Sequence, residues 1–145
     1  MTPTLVVIDT NVCLDLFVFN DPRWVPLLEG LKNGNIKAVT RADCHNEWLA
    51  VLEYPHLPIK TEHKKNIIDM FDKFIQVVAP PEKSVLLPRC SDKDDQKFLE
   101  IARDTNAKVL ITKDKALLKL ARKIQILASY SILTPEKFLS TLTPN

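Results

Sequence analysis

The sequence predicts an α/β protein with three layers, in which a central, mostly parallel twisted sheet of about five strands is covered by helices on both faces. Three observations carry that expectation. Short apolar runs alternate with longer amphipathic stretches along the chain, the pattern of strand–helix–strand units. Two runs, Leu5-Val6-Val7-Ile8 and Lys108-Val109-Leu110-Ile111-Thr112, have unbroken apolar centres, as strands buried on both faces do. The chain has 145 residues, 46% hydrophobic and 26% charged, which is enough for one domain (1–145) to bury a core without disulfide or metal staples.

Each element has its own justification. Leu5 to Ile8 stops at Asp9 and reads as a central strand. Val12 to Phe19 is apolar apart from Asp15 and reads as a helix that ends near Asn20-Asp21-Pro22. Trp24 to Lys32 is a second helix, stopped by Asn33-Gly34-Asn35, and Ile36 to Thr40 a short strand. Asp43 to Tyr54 is helical, with Trp48, Val51 and Leu52 on one face and Pro55 at its end. Thr61 to about Lys73 is a charged amphipathic helix, and Phe74 to Ala79 contains a third strand closed by Pro80-Pro81. Asp92 to Thr105 is a helix that buries Phe98, Leu99, Ile101 and Ala102. After the strand at Lys108 to Thr112 come a helix from Asp114 to Lys123, a last strand at Ile124 to Leu127 and a terminal helix from Pro135 to Leu142. Right-handed crossovers wind such a series into a doubly wound sheet.

Composition excludes several function classes. Gly30 and Gly34, the two glycines, cannot build a dinucleotide-binding loop, a Walker A loop or a nucleophile elbow. Cys13, Cys44 and Cys90 are odd in number and widely spaced, so the expectation is reduced thiols in a cytoplasmic protein. His45, His56 and His63 form no zinc-binding motif. The N-terminus has neither the basic region nor the apolar stretch of a signal peptide, and no run approaches the ~20 apolar residues that span a bilayer. A net charge of +2 and a pI near 8.4 permit a nucleic-acid partner without announcing one.

The chemistry-bearing residues are acids. Ligands of open α/β sheets bind beyond the carboxyl ends of the strands, where strand order reverses. Asp9 and Asp114 follow the two strongest strands and would share that crevice if the strands are neighbours. Either residue alone could equally be a helix cap. Asp92, Asp94 and Asp95 crowd one helix start, where one or two acids would satisfy the helix dipole. Asp95 shares a helix side with Leu99 and Ala102, which turns it toward the protein. Glu47 lies among Trp48, Leu49, Val51 and Leu52, a setting in which a solvent-facing acid is commoner than a functional one. Carboxylates ~4–5 Å apart repel by roughly 3–4 kcal/mol per pair at an effective dielectric near 20, so a fold that gathers four needs a counter-charge. A hard divalent cation with oxygen ligands supplies it, and the lack of a His or Cys cluster argues against zinc.

At this point the sequence resembles a family. Val6-Val7-Ile8-Asp9-Thr10-Asn11-Val12 is similar to the opening motif of PIN-domain ribonucleases, and Glu47-Trp48-Leu49-Ala50-Val51-Leu52 to the helix that carries their second acid. Asp92-Lys93-Asp94-Asp95-Gln96-Lys97-Phe98-Leu99 with Ala102, and Thr112-Lys113-Asp114-Lys115-Ala116-Leu117-Leu118, match the third and fourth segments in order and spacing over nearly the whole chain. The branch it most resembles is described as toxin components of toxin–antitoxin pairs. The resemblance implies a Mg²⁺- or Mn²⁺-dependent endoribonuclease with metal on Asp9, Glu47, Asp95 and Asp114, and with Asp92 as a competing or additional ligand. Asn11 and Thr112 match supporting polar positions, whereas Lys113 stands where a glycine is frequent. Glu47 or Asp95 could instead hold the attacking water, and one or two metals are both compatible. The resemblance also implies a homodimer and an antitoxin protein as partner.

Lys115, Lys119, Arg122 and Lys123 recur along the helix expected after Asp114, either as a basic stripe for RNA phosphates or as a solvated face. Arg41, Arg89, Lys93 and Lys97 lie near the acids in sequence and are candidates for the crevice rim. Trp24, Trp48 and Phe98 read as core rather than base-stacking platforms, and Cys13 and Cys44 as small core residues. Two other functions fit acids at strand ends: a phosphohydrolase or phosphoacceptor module, and a non-catalytic PIN-like binding scaffold. Asn11 stands where one phosphohydrolase type needs a second Asp, and all four acids that a scaffold could dispense with are present.

Overall fold

The computed structural model describes residues 3–79, 81 and 86–142. They form, in order, β1 (Thr4–Ile8), α1 (Thr10–Phe17), a 3-10 turn (Pro22–Trp24), α2 (Val25–Asn33), β2 (Ile36–Thr40), α3 (Ala42–Val51), α4 (Thr61–Phe74) and β3 (Ile75–Val77). A second 3-10 turn (Lys93–Asp95), α5 (Gln96–Thr105), β4 (Val109–Ile111), α6 (Lys115–Leu118), α7 (Ala121–Ala128), β5 (Ser131–Leu133) and α8 (Pro135–Leu142) follow. The five strands pair in the order β3-β2-β1-β4-β5, and every pairing is parallel. Val6 lies between Ala38 and Val109, so β1 is the middle of the sheet.

The period of two along each strand sorts side chains onto two faces. Val6, Ile8, Ile36, Ala38, Val109 and Ile111 join one core with α1, α2, α4 and α8. Val7, Val39, Leu110 and Ile132 join a second core with α5, α6 and α7. This is the three-layer arrangement that the unbroken apolar strands require. Helix α3 divides its side chains, with Trp48 in the first core and Cys44 in the second. Trp48 stacks on Phe71 with ring centroids 4.8 Å apart. All three cysteines are free and buried.

Strand order places the crevice. The chain steps outward from β1 to β2 to β3, then returns through α5 to lay β4 on the other side of β1. The reversal therefore falls between the carboxyl ends of β1 and β4, the two strands that Asp9 and Asp114 follow.

Two expectations are corrected. Ile124 to Leu127 is not a strand; it belongs to α7, and the strand beside β4 is Ser131–Leu133. A four-residue apolar run does not distinguish strand from helix. Here Ile124 is buried while Ile126 and Leu127 face solvent, which is helical spacing. The helix expected from Asp114 to Lys123 is two helices, because α6 stops at Leu118 and α7 restarts at Ala121. The expected helix from Asp92 opens as the 3-10 turn before α5, and Pro80, expected to help close the third strand, lies outside the described residues. No described helix is long and apolar enough to cross a membrane.

Candidate active site

Asp9 occupies the single residue between β1 and α1, and its carboxylate is built into both neighbours. One oxygen, Oδ1, caps α1 by accepting from the Val12 N–H at 3.0 Å. The other, Oδ2, accepts from the Thr112 hydroxyl at the end of β4. Thr112 is fully buried, and its hydroxyl oxygen accepts in turn from the Asp114 N–H at 2.9 Å. This chain of bonds ties the ends of β1 and β4 together. Asp9 is 3% exposed, and burial pushes its carboxyl up to about 6, although the bonds from Thr112 and Val12 oppose the shift and the Asp114 charge adds to it.

Asp114 caps α6, accepting from the Ala116 N–H at 2.8 Å. Facing it are two acids from the 3-10 turn that leads into α5. One carboxylate oxygen from each of Asp92, Asp95 and Asp114 can be chosen so that all three lie within 4.8 Å of one another. Desolvation, followed by a hydrogen bond to the Asp114 carboxylate and the charges of Asp114, Asp92 and Asp9, pushes Asp95 up to about 8. The same contact, with the Ala116 N–H, holds Asp114 below the usual carboxylate range. The Asp95 Oδ2 atom is buried and has no hydrogen-bond partner among the described residues. Three hard oxygen donors, mutual repulsion and an unsatisfied buried carboxylate oxygen fit a divalent cation of the Mg²⁺ or Mn²⁺ type.

Glu47 reaches the site from α3. Its Oε1 accepts from the Thr10 hydroxyl at 3.2 Å, and its Oε2 is paired with the Lys97 ammonium. Asp9, Thr10, Asn11, Glu47 and Asp95 line a common cleft of about 210 Å³. The four sequence-predicted acids are thus distributed: Asp95 belongs both to the Asp92–Asp114 group and to the cleft with Asp9 and Glu47. A larger cavity, about 690 Å³, lies over β2 and β3, but among the described residues Asp72 is the one carboxylate in its lining and is bonded by His45 at 2.8 Å.

Other predicted residues divide as well. Arg41 is held at 2.7 Å by Asp43 and at 3.0 Å by Glu100, and is not available to the cleft. Lys97, expected at the rim, has its charge on Glu47. Lys115, Lys119, Arg122 and Lys123 are exposed, but they straddle the break between α6 and α7 and so do not form the stripe of one helix. Trp24, Trp48 and Phe98 are buried. Sequence reasoning missed Thr10, whose partner Glu47 is 37 residues away, and it missed Tyr54 and His56, which line the same cleft from the loop after α3. The position of Thr10 beside Asp9 was the signal available for the first. Pro55, between Tyr54 and His56, announced a turn there but gave no direction to the rings.

No curated protein matches the sequence at a significant level. The family model of the PIN domain matches residues 5–116, from β1 into α6 and across every acid described above, and the chain belongs to that family.

Proposed function

We propose that this protein is a divalent-metal-dependent endoribonuclease that hydrolyses RNA phosphodiester bonds. The observation that carries the reading is the group of Asp92, Asp95 and Asp114 at the reversal of strand order, with a buried, unpartnered Asp95 oxygen and with Asp9 fixed beside it through Thr112. PIN domains are generally nucleases that use divalent metals, and membership of the family supports the same assignment.

Asp9, Asp95 and Asp114 would hold Mg²⁺ or Mn²⁺, with Asp92 adding a ligand from the exposed side. An ion bound there would supply a more acidic water and a positive charge against the scissile phosphate. Thr112 fixes the Asp9 carboxylate and the turn carrying Asp114. Thr10 and Lys97 would orient Glu47, which would either contribute a metal ligand or hold the attacking water through a hydrogen bond. Asn11, exposed at the cleft, is a donor and acceptor for the substrate backbone. Lys115, Lys119, Arg122 and Lys123 contribute phosphate attraction from two helices instead of one.

The resemblance to toxin components supports a finer reading: a cytoplasmic toxin, homodimeric and restrained by an antitoxin protein encoded beside it. RNA incubated with the protein and Mg²⁺, Mn²⁺ or chelator tests the central reading. Cleavage in both metals that stops in chelator is the expected result, and cleavage that persists undiminished in chelator would contradict it.

A further inference from the structure

We propose that Tyr54 and His56 form a nucleobase-binding subsite in the acid cleft, holding the base of a nucleotide next to the scissile phosphate. The proposal rests on the nuclease reading and adds a residue-level subsite to it. The cleft is chemically mixed: the acids Asp9, Glu47 and Asp95 and the side chains of Val51, Tyr54, His56 and Leu57 line the same space. A nucleotide is mixed in a matching way, a charged phosphate joined to a flat, largely apolar base.

The two rings are exposed, on a loop whose backbone is restrained. Tyr54 is 49% exposed, whereas Trp24, Trp48 and Phe98 are each buried to 3% exposure or less. The Tyr54 and His56 rings lie 5.7 Å apart at 34°, so neither lies flat against the other. The loop that carries them is pinned by consecutive turns: the Tyr54 N–H donates to the Val51 carbonyl at 3.0 Å, and the Leu57 N–H to the Tyr54 carbonyl at 3.2 Å. Pro55 and Pro58 fix two further backbone dihedrals. A loop backbone restrained in this way lowers the entropic penalty of ordering the loop around a stacked base. Stacking on such a platform requires unpaired bases and tolerates any base identity.

The test is the kcat/KM for an unstructured RNA compared with the same RNA made abasic at either nucleotide flanking the cut. For Tyr54→Ala the expected result is a loss of about 5- to 150-fold on the intact RNA. Tyr54→Trp retains the activity. On the RNA abasic at the stacked position, the parent falls to the level of Tyr54→Ala and the variant falls no further. His56→Ala gives a smaller loss of the same kind. Circular dichroism that matches the parent excludes misfolding as the cause. Unchanged kcat/KM in both alanine variants, or equal proportional losses on intact and abasic RNA, overturns the subsite while leaving the nuclease reading intact. A parent protein that does not cleave RNA in Mg²⁺ or Mn²⁺ overturns both.

Discussion

At Thr112 one hydroxyl serves two backbone segments, donating to Asp9 and accepting from the Asp114 N–H. Thr112→Val keeps the shape and removes both bonds, leaving a buried carboxylate short of a donor. We expect a loss of about 1.5–3 kcal/mol in urea unfolding, largely restored by Thr112→Ser, and no loss would show that the bond does not hold Asp9. The raised carboxyls give a pH signature. In the folded chain burial pushes the Asp9 carboxyl up to about 6 and the Asp95 carboxyl up to about 8 from an ordinary 3.8, so above 3.8 and up to those values the folded state binds more protons than the unfolded state. Stability therefore falls as pH rises through that window. Asp21, Asp43 and Asp114, whose carboxyls are held low, act in the opposite sense only below 3.8. The melting temperature in chelator should drop between about pH 5 and about pH 8, and Mn²⁺ should reverse the drop by binding the ionised site. A metal-free melting temperature that rises over the same interval would contradict these assignments. Asp9 and Asp114 were legible in the sequence because each follows a buried strand. The bonds from Thr10 and Lys97 to Glu47 were not, because long-range partners leave no local pattern.

Helix α2 meets β2 closely enough to require a glycine. A Cβ on Gly30 would approach Ile36 Cγ1 to 2.8 Å and would collide with its Cδ1. Gly30→Ala brings a helix-propensity gain of about 1 kcal/mol, but overpacking costs about 1–3 kcal/mol. A net destabilisation in urea unfolding is expected, and a stabilised variant would show that Ile36 moves aside freely. The same scale shows how element reading succeeds and fails. The central strands were readable because burial on both faces demands unbroken apolar residues. Gly34, at φ 85°, ends α2 where the Asn33-Gly34-Asn35 cluster predicted a stop. The run at Ile124 was misread because α7 leaves Ile126 and Leu127 exposed, so its composition reports neither strand nor a fully buried helix. The break at Lys119–Leu120 carries no glycine or proline, and only the packing of α6 and α7 on β4 and β5 reveals it.

For the molecule as a whole, topology brings distant acids together. Asp9, Glu47, Asp95 and Asp114 come from four chain segments, and the reversal of strand order between β1 and β4 brings them to one end of the sheet. The sequence indicated the residue types and the general place. Which acids face one another depended on the 3-10 turn before α5, which turns Asp95 inward against Asp114 and leaves Asp94 exposed. That contrast supplies the most direct measurement: Mn²⁺-dependent RNA cleavage by the parent, Asp114→Asn and Asp94→Asn at equal concentration, with circular dichroism recorded on each. Asp114→Asn removes one charge from the proposed metal site with little change of shape, so cleavage should fall by orders of magnitude while the fold persists. Asp94→Asn should cleave like the parent. If Asp114→Asn, correctly folded, also cleaves RNA like the parent, the carboxylate group at the end of β4 is not the catalytic centre.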